Sequence, residues 1–172
     1  LLGVKEEERY KGSTGYHINY EPVTHLRHVI LVDGKFLIVA DKLQGCNNSL
    51  ITRNFHFDYT NVCLKDNKVL ASNPKVSTWL CSYPNYEFSF EKGMISDHND
   101  TFRPSVMVKT NAIETGQVSY VSVLLPFKQE EKNITDLSIS KIDNTTYEIL
   151  LENNKYYLIL DGYTYQIQFD RL

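Results

Sequence analysis

The chain has 172 residues, of which 42% are hydrophobic and 23% charged, the composition of an ordinary globular protein long enough to bury a core. Its net charge of -3 gives no electrostatic reason to expect nucleic acid, whose protein partners usually present a basic face. Because no apolar run approaches the roughly eighteen residues of a membrane span and the chain begins without an initiator methionine or a secretory leader, we expect a fragment or processed product with no membrane partner.

Two apolar segments on either side of Asp33-Gly34 give the strongest local signal in the first half of the chain. After a charged lead-in and a short strand, Glu21-Pro22 interrupts the chain. Residues 24–41 then predict two strands joined by a tight hairpin turn at Asp33-Gly34. Since both faces of these strands carry apolar residues, we expect the hairpin to be buried on both faces.

The loop of this hairpin decides which residues face each other. With a two-residue turn at Asp33-Gly34, His25 pairs with Lys42. With a three-residue loop, residues 32–34, that ends in a G1 bulge, His25 lies directly opposite Asp41, with Cβ atoms about 5 Å apart. The sequence does not choose between these two registers.

His25, Asp41 and His56 are candidate metal ligands. Residues 50–59 predict a strand with one apolar and one polar face, and His56 is on the polar face. Two imidazoles and one carboxylate on adjacent strands suit a three-ligand metal site, provided that His25 lies opposite Asp41. The alternative is that these three residues are surface residues or hydrogen-bonded core residues. For His28 we expect a structural role.

The remaining sequence predicts further short strands. Asp66-Asn67 predicts the turn of a small hairpin, residues 93–104 a long polar loop, and residues 114–116 the turn of another hairpin. Trp79 is expected in the core. The three cysteines do not have the spacing of a zinc ribbon, and we expect free thiols.

No segment shows helical periodicity, so about a dozen strands and little or no helix remain. We therefore predict an all-β protein, an antiparallel β-sandwich of the supersandwich type. Residues 1–127 would form the main sandwich, and residues 128–172 a terminal β-meander packed on the same sandwich.

Several of these motifs resemble the C-terminal β-sandwich of the heparinase II/III-like polysaccharide lyases. The run HLRHVILVDGKFLIVADKLQG, followed by RNFHF, is similar to the family's His-x-Arg strand, hydrophobic hairpin ending in Asp, and later strand ending in His. The stretches GMIS and VSVLLP resemble the family's downstream pattern. The resemblance covers residues 12–127.

The resemblance implies two sets of functional residues. A structural metal, usually zinc although another divalent ion is not excluded, is expected on His25, Asp41 and His56. A fourth ligand is not identified. Contacts with the substrate are expected from Tyr16, His17 and Arg27, although Tyr16 alternatively belongs to one face of an edge strand.

The resemblance also implies a function in the cleavage of acidic, uronic-acid polysaccharides by β-elimination. The family's main catalytic groups lie on an upstream α/α-toroid domain, of which this sequence shows no sign, and some members carry a catalytic His where this chain has Val23. We expect a chain that is inactive alone, has the toroid and an acidic polysaccharide as partners, and comes from a periplasmic or secreted protein. The alternative is a non-catalytic carbohydrate-binding or scaffolding sandwich without metal, in which exposed tyrosines contact sugar.

Overall fold

The computed structural model describes residues 1–58, 61–98, 101–128 and 136–171, and this part of the chain contains thirteen strands and no helix. The strands are β1 (Gly3–Glu6), β2 (Tyr10–Tyr20), β3 (Val23–Val32), β4 (Phe36–Phe57), β5 (Asn61–Lys65), β6 (Lys68–Ser72), β7 (Val76–Tyr83), β8 (Ser89–His98), β9 (Thr101–Lys128), β10 (Leu137–Lys141), β11 (Thr146–Leu151), β12 (Asn154–Asp161) and β13 (Thr164–Arg171). Among the described residues there is accordingly no helix that could span a membrane. The predicted all-β class is confirmed.

The strands form two antiparallel sheets. The larger sheet has nine strands in the order β1-β2-β3-β4-β9-β7-β6-β5, with β8 paired to β9. The smaller sheet has four strands in the order β10-β11-β12-β13, all from the end of the chain. The β-sandwich prediction is confirmed.

The main hydrophobic core lies between the two sheets. Ile30, Phe36 and Ile38, which alternate with period two, have no exposed surface and belong to one cluster with residues of the smaller sheet. The ring of Phe36 meets that of Tyr156 edge-on, with centroids 5.1 Å apart. Trp79 lies in the same cluster, as predicted. The two sheets therefore share one core.

Strands β4 and β9 are much longer than the others and carry a bend. They pair with each other from Leu37 to Phe57 of β4, and the register shifts on both sides of Cys46. Gly45 and Gly116 lie at these irregularities with φ angles of +82° and +80°, a backbone region that glycine adopts without steric cost. The bend divides each strand into two straight segments.

The segments beyond the bend, residues 49–57 of β4 and 101–114 of β9, form together with β8 a unit that we call the arm. Phe57 and Val108 of the arm share a buried cluster with Val69 and Leu80 of the larger sheet. Leu80 alternates with Trp79, which packs against the smaller sheet, so the arm covers the opposite face of the larger sheet. The result is three layers: smaller sheet, larger sheet and arm.

Three local predictions were wrong. Residues 93–98 and 101–104 are strand rather than loop. Residues 114–116 lie inside β9 rather than in a hairpin turn, because both halves of β9 pair with β4 instead of with each other. The central hairpin is also not buried on both faces, since Leu31 and Leu37 near its turn are 39% and 37% exposed.

Neither predicted register of the central hairpin is correct. The loop has three residues, as in one alternative, but it is displaced by one position to residues 33–35. His25 therefore faces Leu43 rather than Lys42 or Asp41, and Arg27 faces Asp41. Since side chains two positions apart on a strand share a face, His25 and Asp41 become diagonal neighbours on the same face.

The bend allows a matched test of its two glycines. A Cβ added at Gly45 would lie 2.5 Å from the carbonyl oxygen of Pro22, whereas a Cβ at Gly116 would meet nothing within 4 Å. We expect Gly45→Ala to lower the free energy of unfolding by about 2–4 kcal/mol and Gly116→Ala by about 1 kcal/mol, since only the first adds a clash to the left-handed backbone. Urea denaturation measures both variants, and equal losses would contradict the role of the Pro22 contact.

Candidate functional site

A cleft of about 640 Å³ opens between the larger sheet and the arm. The larger sheet contributes the last residue of β2, the first half of β3 and the middle of β4. The arm contributes residues 49–54. The polar residues that line the cleft include His25, Arg27, Asp41, Arg53 and Tyr120. Val23 and Tyr20 also line it.

Asp41 accepts hydrogen bonds from two neighbours on β3. His25 Nε2 lies 2.6 Å from its Oδ1, and Arg27 donates from Nε to Oδ1 at 2.6 Å and from Nη2 to Oδ2 at 3.0 Å. Burial alone would raise the pKa of Asp41, but the hydrogen bonds from His25 and Arg27, together with the charge of Arg27, lower it below its ordinary value. Asp41 is therefore a buried carboxylate whose two oxygens are both engaged.

Arg27 presents the accessible cation of the cleft. Its side chain is 51% exposed, against 8% for its partner Asp41. The hydrogen bond to Asp41 raises the pKa of Arg27, so the guanidinium stays charged. Its edge not bonded to Asp41 is open to a ligand because a guanidinium has five N–H donors and only two are used here.

Arg53 enters the cleft from the arm and is only 8% exposed. Its Nε donates to Thr110 Oγ1 at 3.0 Å and its Nη1 to Ser122 Oγ at 3.3 Å. The guanidinium carbon lies 4.5 Å from the centre of the Tyr120 ring, a cation–π contact. These contacts fix the guanidinium between the arm and the larger sheet.

Two tyrosines hold Glu114 beside this group. Tyr86 Oη donates to Glu114 Oε1 at 2.6 Å and Tyr120 Oη to the same oxygen at 2.9 Å. Burial and the neighbouring carboxylate raise the pKa of Tyr86 to about 12, and the same causes raise the pKa of Tyr120. Both phenols are neutral donors at physiological pH, and both donate to the same oxygen of Glu114, Oε1.

The structure brings together two of the three predicted metal ligands. His25 and Asp41 are in contact, but His56 is exposed, pairs with Met107 in the arm and does not line the cleft. Within residues 1–58, 61–98, 101–128 and 136–171, no group of three or more His, Cys, Asp or Glu side chains is placed to hold a metal ion. Because Arg27 and His25 also occupy the oxygens of Asp41, this arrangement does not fit a three-ligand zinc site.

The three predicted substrate-contacting residues lie in different places. Arg27 lines the cleft. His17 pairs with His25 across β2 and β3, and its ring lies 4.9 Å from that of Tyr20 at the cleft rim. Tyr16 is on the opposite face, where its ring meets Tyr163 edge-on with centroids 6.1 Å apart.

His28, expected to be structural, is 1% exposed, with its Nδ1 2.9 Å from Thr14 Oγ1.

Sequence reasoning missed Arg53, although a signal was present. Residues 53, 55 and 57 alternate onto one face of the strand, and Phe55 and Phe57 make that face apolar. A charged residue on an apolar strand face must be held by polar partners, which marks it as a candidate for function. Glu114 and Tyr120 gave no comparable signal, because the bend that brings them to the cleft was not predicted.

The family comparison matches nearly the whole chain. The family model described as "Heparinase II/III-like, C-terminal" matches residues 3–161. The search of curated proteins finds no match.

Three solved structures of similar fold belong to larger proteins. One, titled as a heparinase III gene product, has a TM-score of 0.76 and 15% identity, and the match covers 99% of this chain and 27% of that one. Heparan sulfate lyase HepC from Pedobacter heparinus has a TM-score of 0.71 and 15% identity over 98% of this chain and 27% of its own. A further structure titled heparinase III has a TM-score of 0.63 and 20% identity over 99% and 27%. The chain thus spans about a quarter of these proteins.

Proposed function

Because the chain belongs to the heparinase II/III-like family, whose C-terminal domain it matches, we propose that it serves as the β-sandwich domain of a lyase that cleaves acidic polysaccharide by β-elimination. The cleft between the larger sheet and the arm would face an upstream α/α-toroid domain of the same protein, and the polysaccharide would lie between the two. The parent protein of this chain would be periplasmic or secreted, and would encounter such polysaccharides there.

The observation that carries this proposal is the half-exposed guanidinium of Arg27 in the cleft, held in place by a buried carboxylate. β-Elimination removes the proton at C5 of a uronic acid and expels the sugar linked at O4. A cation beside the uronate carboxylate stabilises the negative charge that develops as this proton leaves. Arg27 supplies such a cation, and Asp41 orients it.

The other groups that this reaction needs are assigned to the upstream domain in this proposal. Val23 lines the cleft at the position where, by resemblance, some members of the family carry a catalytic His. The imidazole of His25 is hydrogen-bonded to Asp41 through Nε2. By resemblance to the family, the base and the proton donor for the leaving oxygen would come from the toroid domain.

The test combines binding with activity. We expect the chain to bind a uronic-acid polysaccharide and not neutral dextran in calorimetric titrations. Arg27→Gln should weaken this binding about tenfold, because one charge-assisted contact is lost. Arg9→Gln, which removes the same charge outside the cleft, should leave it unchanged.

The activity measurement follows the ultraviolet absorbance of the unsaturated product. The chain alone should give none, and the parent protein with its toroid domain should give a steady rate that Arg27→Gln reduces. Equal binding of dextran and uronic-acid polysaccharide, or an unaffected rate in Arg27→Gln, would contradict the proposal.

Zinc on His25, Asp41 and His56 is a separate proposal that the family resemblance supports. A zinc ion there would have to displace Arg27 or His25 from an oxygen of Asp41 and recruit His56 to the cleft. Elemental analysis of protein purified without chelator and offered zinc should then find about one zinc per chain in the wild type. His56→Ala should lose the metal and show a lower Tm, whereas a metal-free wild type would refute the site.

A non-catalytic carbohydrate-binding domain is the second candidate. It is favoured by the exposed Tyr20 at the cleft rim, 66% exposed beside His17, since such rings stack on sugars. Under this function the parent protein would bind polysaccharide without releasing unsaturated product, and Tyr20→Ala would weaken binding more than Arg27→Gln.

A further inference from the structure

Arg53 carries a charge that no acidic group of the described chain neutralises by contact. Its Nη2 is buried and has no hydrogen-bond partner among the described residues, and its other contacts are to hydroxyl groups and a ring. Two carboxylates of this region have other partners: Asp41 is held by His25 and Arg27, and the Oε1 oxygen of Glu114 by two tyrosines. An arginine this deeply buried is normally paired, because an uncompensated buried charge is costly.

The surroundings of Arg53 have the chemistry of an anion site. The guanidinium is fixed by Thr110 Oγ1 and Ser122 Oγ, and Ser122 Oγ is in turn 2.7 Å from Ser82 Oγ. Burial lowers the pKa of Arg53, and the charge of Asp41 offsets this effect only in part. A guanidinium fixed in this way lines the cleft with a rigid planar fork, the geometry that recognises a planar or tetrahedral oxyanion.

We propose that Arg53 is the anion-binding residue of the cleft and takes a carboxylate or sulfate group of the polysaccharide. This inference rests on the proposed function for the identity of the ligand, but not for the existence of the anion site. Arg27, at the mouth, and Arg53, at the base, would then contact two different acidic groups of one chain of sugars.

The first experiment uses inorganic sulfate as the probe. Sulfate should raise the Tm of the wild type above that in sodium chloride of equal ionic strength, because it binds the folded state only. Arg53→Met should lose this shift, and Arg9→Met, which removes an exposed arginine outside the cleft, should keep it. Without sulfate, Arg53→Met should be as stable as the wild type, since replacing an uncompensated buried charge by an apolar chain of similar length relieves its desolvation.

The second experiment separates the two sources of the anion. Arg53→Met should bind an unsulfated uronic-acid polysaccharide about tenfold more weakly if the site takes the carboxylate. If the site takes sulfate, the same loss should appear only with a sulfated, uronate-free glycan. Arg53→Lys, which keeps the charge but not the planar fork, should recover part of the binding.

Two outcomes would overturn the proposal. One is full polysaccharide binding and an undiminished sulfate shift in Arg53→Met. The other is a marked loss of stability in Arg53→Met together with no sulfate shift in the wild type, which would assign Arg53 to the core. If sulfate stabilises the wild type but not Arg53→Met while neither polysaccharide binds, the anion site stands and the proposed function fails.

Discussion

Phe36→Ala should lower the free energy of unfolding by about 3–5 kcal/mol, the usual cost of truncating a buried Phe. Phe36 has no exposed surface, and its ring packs edge-on against Tyr156 of the smaller sheet. The substitution therefore opens a cavity between the two sheets and removes an aromatic contact. Urea denaturation followed by tyrosine and tryptophan fluorescence measures the loss.

The control is the adjacent residue, Leu37, which is 37% exposed on the other face of the same strand. Leu37→Ala should cost about 1 kcal/mol or less, because it leaves little cavity. The same denaturation tests whether residues 1–127 and 128–172 unfold together. Since the sheets share one core, we expect a single transition in the wild type and in Phe36→Ala, and two separate transitions would contradict a shared core.

Asp41→Asn should lower the free energy of unfolding at neutral pH by about 2–3 kcal/mol. The substitution keeps the shape of the side chain but removes the negative charge that holds Arg27 and His25, and it leaves Arg53 nearby with less compensation. The loss is smaller than for a fully buried pair because Arg27 can turn towards water.

Asp33→Asn is the matched control for Asp41→Asn. Asp33 also accepts two hydrogen bonds from one arginine, Arg9, at 2.8 Å and 2.7 Å, but at the hairpin turn its side chain is 18% exposed, against 8% for Asp41. Exposed ion pairs contribute about 1 kcal/mol or less. A loss in Asp33→Asn equal to that in Asp41→Asn would show that burial in the cleft adds nothing.

Acid unfolding gives the same interaction a second signature. The pKa of Asp41 is lower in the folded chain than its ordinary value near 3.8, so the unfolded state binds this proton at higher pH. The stabilisation by Asp41 is therefore complete above about pH 5 and is lost as the pH falls through the folded pKa. Asp41→Asn should flatten the stability profile in this acidic range, and an unchanged slope would contradict the lowered pKa.

The sequence predicted the fold class well because strand signals are local. Alternating apolar residues, the Asp33-Gly34 turn and the Asp66-Asn67 turn each act within a few positions, and the hairpins predicted at these two turns exist. The long strands were missed because pairing partners are distant. Gly116 looks like the centre of a hairpin turn in the sequence, and only the partner strand β4 makes it a bend within one strand.

The sequence predicted only the part of the candidate site whose residues are close together in the sequence. His25 and Asp41 come from one hairpin, and they are in contact although the register differs by one position from the predicted one. The two residues are diagonal neighbours instead of directly opposite each other. Arg53 and Tyr120 meet only because the arm folds back over the larger sheet. The alternation of side chains within one strand does not predict such a contact between distant segments.

The central position of β9 also determines when the larger sheet can be completed. β9 pairs with β4 on one side and β7 on the other, and its partners lie far away in the sequence, as in the pair Leu37 and Leu124. Closing such distant pairs is slow, because the chain entropy is lost before the contacts form. During synthesis, the units β2-β3-β4 and β5-β6-β7 can pair locally, but β4 and β7 keep open edges until residue 128 has left the ribosome. A nascent chain that stalls before β9 therefore exposes two unpaired strand edges, the kind of surface that aggregates or binds chaperones.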